Sequence, residues 1–187
     1  MVDLNELPAG LPEPDDDGGA SHLHGLPLPA LTFPSTAGHP VEMNQLGPGR
    51  TVLFIYPLTG RPGTAQPPGW DDIPGARGCT TEACDFRDHH RELLSAGIAR
   101  VFGLSSQHHD YQQEVVERLN LPYPLLSDVH LEMAQAMNLP MFRAGGMELF
   151  KRMTLVVADG CVEHVFYPVF PPNKHAQQVL GWVLNSG

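Results

Sequence analysis

Gly78-Cys79-Thr80-Thr81-Glu82-Ala83-Cys84-Asp85-Phe86 opens a helix and carries two thiols five positions apart. Apolar side chains recur at Ala83, Phe86, Leu93 and Leu94, one face of a helix that runs to about Ala96 and stops at Gly97. Thr80 or Thr81 is placed to cap its start, and Glu82 and Asp85 put negative charge in the first turn. Cys79 then lies where free backbone N–H groups and the positive end of the helix dipole favour a thiolate, which lowers a cysteine pKa from about 8.5 into a reactive range. Arg77 and Arg87 add to that effect, while Glu82 and Asp85 oppose it.

Outward from this helix the pattern alternates. Residues 51–56 (TVLFIY) are β-branched, aromatic and apolar on both faces, as a central strand requires. Residues 98–104 read as the next strand, 111–119 as a helix ended by Asn120, 125–127 as a short strand and 130–137 as a helix. Residues 152–158 and 162–166 form a hairpin across Asp159-Gly160, and 176–184 make a closing helix. Residues 30–33 and 40–43, separated by Gly38, make a leading hairpin. Strands alternating with helices predict an α/β protein with a mixed central sheet flanked by helices.

The chain of 187 residues is long enough for one domain with a full core. Residues 1–26 are broken by proline, glycine and an Asp15-Asp16-Asp17 run, and read as an arm that lies on the surface or is partly disordered. The domain proper spans 27–187. No stretch approaches the roughly 20 apolar residues of a membrane span, and the first residues lack the basic and apolar regions of a signal sequence. The expected location is therefore the cytoplasm. A formal net charge of −10 argues against a nucleic-acid partner, because phosphate binding depends on clustered Lys and Arg.

In a reducing compartment a cysteine pair is catalytic, redox-sensing or metal-binding more often than a permanent staple. The ten histidines do not favour metal: His89-His90 and His108-His109 are adjacent pairs, and neighbours on a helix point about 100° apart. A Cys79/Cys84/His89 zinc site has the wrong gaps for thiolate ligation. Positions five apart in one intact helix lie about 140° apart around the axis, with Cα atoms roughly 8–9 Å apart. A disulfide requires about 7 Å or less, so Cys79 and Cys84 can join only if the first turn unwinds. Cys161 follows the Asp159-Gly160 turn and reads as a structural or incidental thiol.

The segment Gly78-Cys79-Thr80-Thr81-Glu82-Ala83-Cys84-Asp85-Phe86-Arg87-Asp88 resembles the active-site segment of the PrxQ/BCP branch of the peroxiredoxins. Gly103-Leu104-Ser105-Ser106, Pro124-Leu125-Leu126-Ser127-Asp128 and the stretch from Lys151-Arg152-Met153-Thr154 to Asp159-Gly160 resemble further family segments, in family order, over about residues 27–187. The resemblance implies a thioredoxin-like fold and a thiol peroxidase without metal, haem or nucleotide cofactor. It implies that Cys79 is the peroxidatic cysteine, that Cys84 resolves it through a Cys79–Cys84 disulfide, and that thioredoxin or a similar dithiol recycles the pair. Arg152 matches the arginine that holds the thiolate and polarises the hydroperoxide, and Pro57 the proline that shields the site. A monomer or weak dimer is implied.

Two departures stand out. The family pattern P-x-x-x-[TS]-x-x-C keeps proline and cysteine close, whereas Pro57 precedes Cys79 by 22 positions, so 58–78 holds an insertion of about 15 residues. Rich in Gly and Pro around Trp70, this loop reads as a pinned surface loop or a lid over Cys79. The motif threonine is replaced by Ala76; Thr59 is the expected substitute hydroxyl and Thr64 a poorer one. The Ala76 replacement also favours an alternative, a redox-sensing interaction protein with little turnover. A dithiol reductase is a third reading, disfavoured because that chemistry uses Cys-x-x-Cys spacing.

Overall fold

The computed structural model describes residues 6–186; the first five residues of the expected arm and Gly187 lie outside them. The chain runs β1 (Thr32–Phe33), β2 (Val41–Glu42), β3 (Arg50–Ile55), α1 (Cys79–Asp88), α2 (His90–Ser95), β4 (Ile98–Ser105), α3 (His109–Leu119), β5 (Leu125–Ser127), α4 (Glu132–Met137), β6 (Met141–Ala144), β7 (Met147–Phe150), β8 (Met153–Ala158), β9 (Cys161–Phe166) and α5 (His175–Asn185).

Five strands form one sheet in the order β5-β4-β3-β8-β9. β3 runs parallel to β4, and β4 to β5, while β8 and β9 are antiparallel to their neighbours. The sheet is thus mixed, with β3 at its centre. Burial on both faces explains why β3 is apolar without alternation. Val52, Phe54 and Tyr56 point to the face covered by α1, α3 and α5, with Phe86, Val115 and Val179 among their companions. Leu53 and Ile55 point to the other face, packed with Met133 and Met137 of α4 and with Phe33.

That second face also receives the arm. Ala20 and Leu23 are buried in it, and Gly25 N–H donates to the Val162 carbonyl at 2.8 Å. Asp17 accepts from Lys151 at 2.6 Å and from the Tyr167 hydroxyl at 2.8 Å. Among the described residues, then, 6–26 lie along the domain and are tied to it at their inner end.

The expected single helix of 79–96 is two. His89 leaves helical geometry (φ −99°, ψ 7°), although its own N–H still donates to the Asp85 carbonyl at 3.0 Å and its Nδ1 lies 2.9 Å from the same oxygen. α2 then resumes and buries Leu93. The sequence reading also assigns no element to 138–150, where β6 and β7 pair across Gly145-Gly146, both with positive φ (56° and 77°). The Asp159-Gly160 turn is as expected, with φ of 51° and 76°. Asp128, after β5, accepts the N–H groups of Glu132 and Met133 at 2.8 and 2.9 Å and so starts α4.

Candidate active site

The sheet register brings the site together. Ile55 pairs with Met153, so the end of β3, leading into Tyr56 and buried Pro57, lies beside Arg152 at the start of β8. α1 begins above this point. Gly78 precedes it with φ of 108°, and a Cβ there would sit 2.4 Å from Cγ of Pro172, so both backbone and packing require glycine. Cys79 occupies the first turn and is only 3% exposed.

Arg152 is the hub. Its Nη2 lies 3.2 Å from Cys79 Sγ and donates to the carbonyls of Ala76 and Arg77, each at 3.2 Å. Its Nη1 donates to Glu82, one turn further along α1. Both members of that ion pair are buried. The Cys79 thiol in turn lies 3.7 Å from the Ala76 carbonyl.

Burial pushes the Cys79 thiol up from its ordinary value; Arg152 pulls it down, Glu82 pushes it up again, and the Leu58 backbone N–H pulls it down. This corrects the expectation that the helix start, aided by Arg77 and Arg87, lowers it, because loss of hydration outweighs these effects at a buried sulfur. Burial also pushes Glu82 up to about 7 against the pull of Arg152, while Arg152, although opposed by its own burial, is held charged by Cys79 and Glu82. The two partners of the ion pair therefore shift in opposite senses of stabilisation. We attribute this to sharing: one guanidinium serves two acids, and neither acid regains the full hydration it lost. The site holds one negative charge comfortably and a second with difficulty.

The remaining predicted residues divide. Cys84 lies half-buried on α1, and among the described residues all three cysteines are free thiols. Because α1 is intact from Cys79 to Asp88, the two sulfurs meet only if it opens. Neither Thr80 nor Thr81 caps the helix: Gly78 is the capping residue, and the Thr81 hydroxyl donates back to the Gly78 carbonyl at 2.9 Å. Thr59 is buried, but its N–H and hydroxyl both donate to Gln107 Oε1 at 2.9 Å, and its carbonyl accepts from Tyr111. It ties the insertion to the loop after β4, and the space in front of Cys79 is walled by its neighbours Leu58 and Gly60. Thr64 lines a wider bowl beyond. Cys161 is exposed at the start of β9. Among the described residues no group of three or more His, Cys, Asp or Glu is placed to hold a metal ion, and no helix is long and apolar enough to cross a membrane.

Two contacts of the site escaped the sequence reading, which took Asp85 only as a first-turn acid. Tyr123 donates its hydroxyl to the Ala83 carbonyl of α1 at 2.6 Å. Asp85 accepts the Ala176 N–H at 2.7 Å and so fastens α1 to the first turn of α5. Their partners are 40 and 91 positions away, and no local pattern reports such contacts. The insertion folds against the domain through Trp70, which is buried with Ala76, Ala144 and Leu149 and lies with its ring 5.9 Å from that of Phe142.

A family model described as Redoxin matches residues 23–180. Peroxiredoxin Bcp of Escherichia coli is 27% identical over 164 residues, covering 83% of this chain and 91% of that protein. The chloroplastic Peroxiredoxin Q of Sedum lineare is 28% identical over 157 residues, covering 83% of this chain and 75% of that protein. Among solved structures, the peroxidoxin BcpB of Mycobacterium tuberculosis superposes with a TM-score of 0.67 at 28% identity, covering 87% of this chain and 96% of that one.

Proposed function

The chain belongs to the Redoxin family, with relatives of the Peroxiredoxin Q/Bcp kind, and from that premise we propose that it is a thiol peroxidase working through Cys79 and Cys84. One observation carries the reading: a buried, permanently charged Arg152 places Nη2 3.2 Å from a cysteine sulfur at the first turn of a helix.

The Cys79 sulfur, as thiolate, attacks one oxygen of a hydroperoxide; the S–O bond forms as the O–O bond breaks. The departing oxygen leaves as alkoxide or hydroxide, takes up the proton that the thiol gave up, and departs as alcohol or water. Cys79 is then a sulfenic acid. Arg152 lowers the cost of negative charge at both stages, first on sulfur and then on the leaving oxygen. The first turns of α1 open, the Cys84 thiolate attacks the sulfenic sulfur, and water leaves as the Cys79–Cys84 disulfide forms. An external dithiol, thioredoxin or a similar protein, reduces that disulfide by exchange and is itself oxidised. Hydrogen peroxide and organic hydroperoxides are the substrate class, the cytoplasm the compartment, and a monomer or weak dimer the working unit.

The test is stopped-flow oxidation of the reduced protein by one equivalent of hydrogen peroxide, followed by peptide mapping. Rapid reaction ending in a Cys79–Cys84 disulfide is the expected result. Cys79→Ser abolishes it, and Cys84→Ser leaves the first oxidation but stops thioredoxin-driven cycling.

The burial that pushes the Cys79 thiol up favours a second reading, a redox-sensing interaction protein in which opening of α1 alters partner binding. Oxidation no faster than that of a free thiol at the same pH would favour it.

A further inference from the structure

Cys79 lines a cavity of only about 10 Å³ together with Leu58, Gly60, Gln66, Trp70, Arg77 and Thr80. That is room for about one water-sized sphere. Gln66, Trp70 and Arg77 also line a wider bowl of about 640 Å³ formed by the rest of the insertion, so these three residues stand between the bowl and the small space at Cys79, the throat. Among the described residues Gln66 Oε1 is buried without a hydrogen-bond partner. A buried amide oxygen in that state lacks the donor its desolvation calls for. The hydroxyls that sequence suggested for this role are elsewhere: Ala76 has none, and that of Thr59 is donated to Gln107.

We propose that Gln66, a residue of the insertion, is the group that orients the hydroperoxide in this site, an inference that rests on the peroxidase reading above. Its Oε1 accepts the O–H of the incoming ROO–H. This fixes the O–O axis in the throat and presents one oxygen to Cys79 Sγ, with Arg152 beside it. The throat takes the O–O unit, and any substituent lies outward in the bowl. The substrates selected are small, unhindered hydroperoxides. The insertion that separates Pro57 from Cys79 thereby supplies in sequence what the Ala76 position lacks.

The experiment compares the full-length wild type with Gln66→Leu, which keeps the bulk and removes the amide. Two second-order rates are read at Cys79 by stopped flow and mass spectrometry: oxidation by hydrogen peroxide, and alkylation by iodoacetamide, which has no O–H to orient. The expected result is a loss of tenfold or more in the peroxide rate with the alkylation rate within about twofold of wild type. Equal peroxide rates overturn the proposal. A parallel fall in both rates also overturns it, because Gln66 would then be shaping access or the thiol pKa. A wild type that reacts no faster than a free thiol removes the peroxidase reading itself, and this inference with it, an outcome distinct from a fast wild type matched by a fast variant.

Discussion

Arg152 touches two acids with one guanidinium, and that sharing governs what Cys79 can do. Glu82 raises the cost of a Cys79 thiolate by like charge, and its own carboxyl is pushed up to about 7 by burial. Replacing Glu82 with Gln keeps an acceptor for Arg152 and removes the competing charge. The pH midpoint of Cys79 alkylation should therefore move down in Glu82→Gln and up in Arg152→Gln. An unmoved midpoint in Glu82→Gln would mean that Glu82 carries no charge across the titration. Most of these residues were legible one by one. Cys79, Cys84 and Arg152 stand in recognisable surroundings, but Glu82 could be read only as a first-turn acid, because its partner is 70 positions away.

At the scale of elements, the proposed cycle requires an α1 firm enough to hold Cys79 and loose enough to release it. Besides the Arg152–Glu82 pair, long-range ties that hold it include Tyr123 hydroxyl to the Ala83 carbonyl at 2.6 Å, Asp85 to the Ala176 N–H at 2.7 Å, and Arg87 to the Leu119 carbonyl at 2.9 Å. A buried hydrogen bond of this kind contributes about 1 kcal/mol. Tyr123→Phe should therefore speed disulfide formation after the first oxidation by about fivefold while leaving the oxidation rate near wild type, read as separate phases in stopped flow. A change confined to the first phase would show that Tyr123 acts on the sulfur and not on opening of the helix. The insertion is the second element with a mechanical role. Trp70 is 3% exposed and pins it to Ala144, Leu149 and Phe142. Trp70→Ala should widen the throat, raising the rate with tert-butyl hydroperoxide relative to hydrogen peroxide by severalfold. An unchanged ratio would mean that the indole does not gate the sulfur.

Across the whole molecule, buried titratable groups set opposing pH slopes. His175 is buried between Phe86 and Phe166, with Nε2 2.8 Å from Thr154 Oγ1. Burial lowers its pKa to about 4. An unfolded histidine near 6.5 binds a proton that the folded one refuses, so this contribution is full above pH 6.5 and is lost as pH falls through 4. Glu82 runs the other way: its stability contribution is full below pH 4.5 and is lost as pH rises through about 7. Between pH 4.5 and 6.5 the two slopes offset. His175→Gln removes one of them, so its stability relative to wild type should be greater at pH 5 than at pH 7, by roughly 2 kcal/mol from urea midpoints. A pH-independent difference would show that His175 is not held neutral by the core.

The α/β order, the central strand, the Asp159-Gly160 turn and the placement of Cys79 at a helix start were all written locally, in runs of apolar residues and in turn chemistry that act over a few positions. Local rules also misjudged in particular places. They continued one helix through His89, where the backbone leaves helical geometry, and they did not foresee that the Thr59 hydroxyl is donated to Gln107. The Gly145-Gly146 hairpin was readable and its signal went unused. Short-range patterns were enough for most of the α/β order, and they put forward Cys79, Arg152 and Pro57 as candidates for the chemistry. The packed fold was needed for the sharing of Arg152 between Cys79 and Glu82, for the burial that raises the cost of the thiolate, and for the walling of the space at Cys79 by Leu58, Gly60, Gln66 and Trp70. Those outcomes depend on desolvation and on contacts between groups far apart in the chain, and neither is encoded within any short stretch of residues.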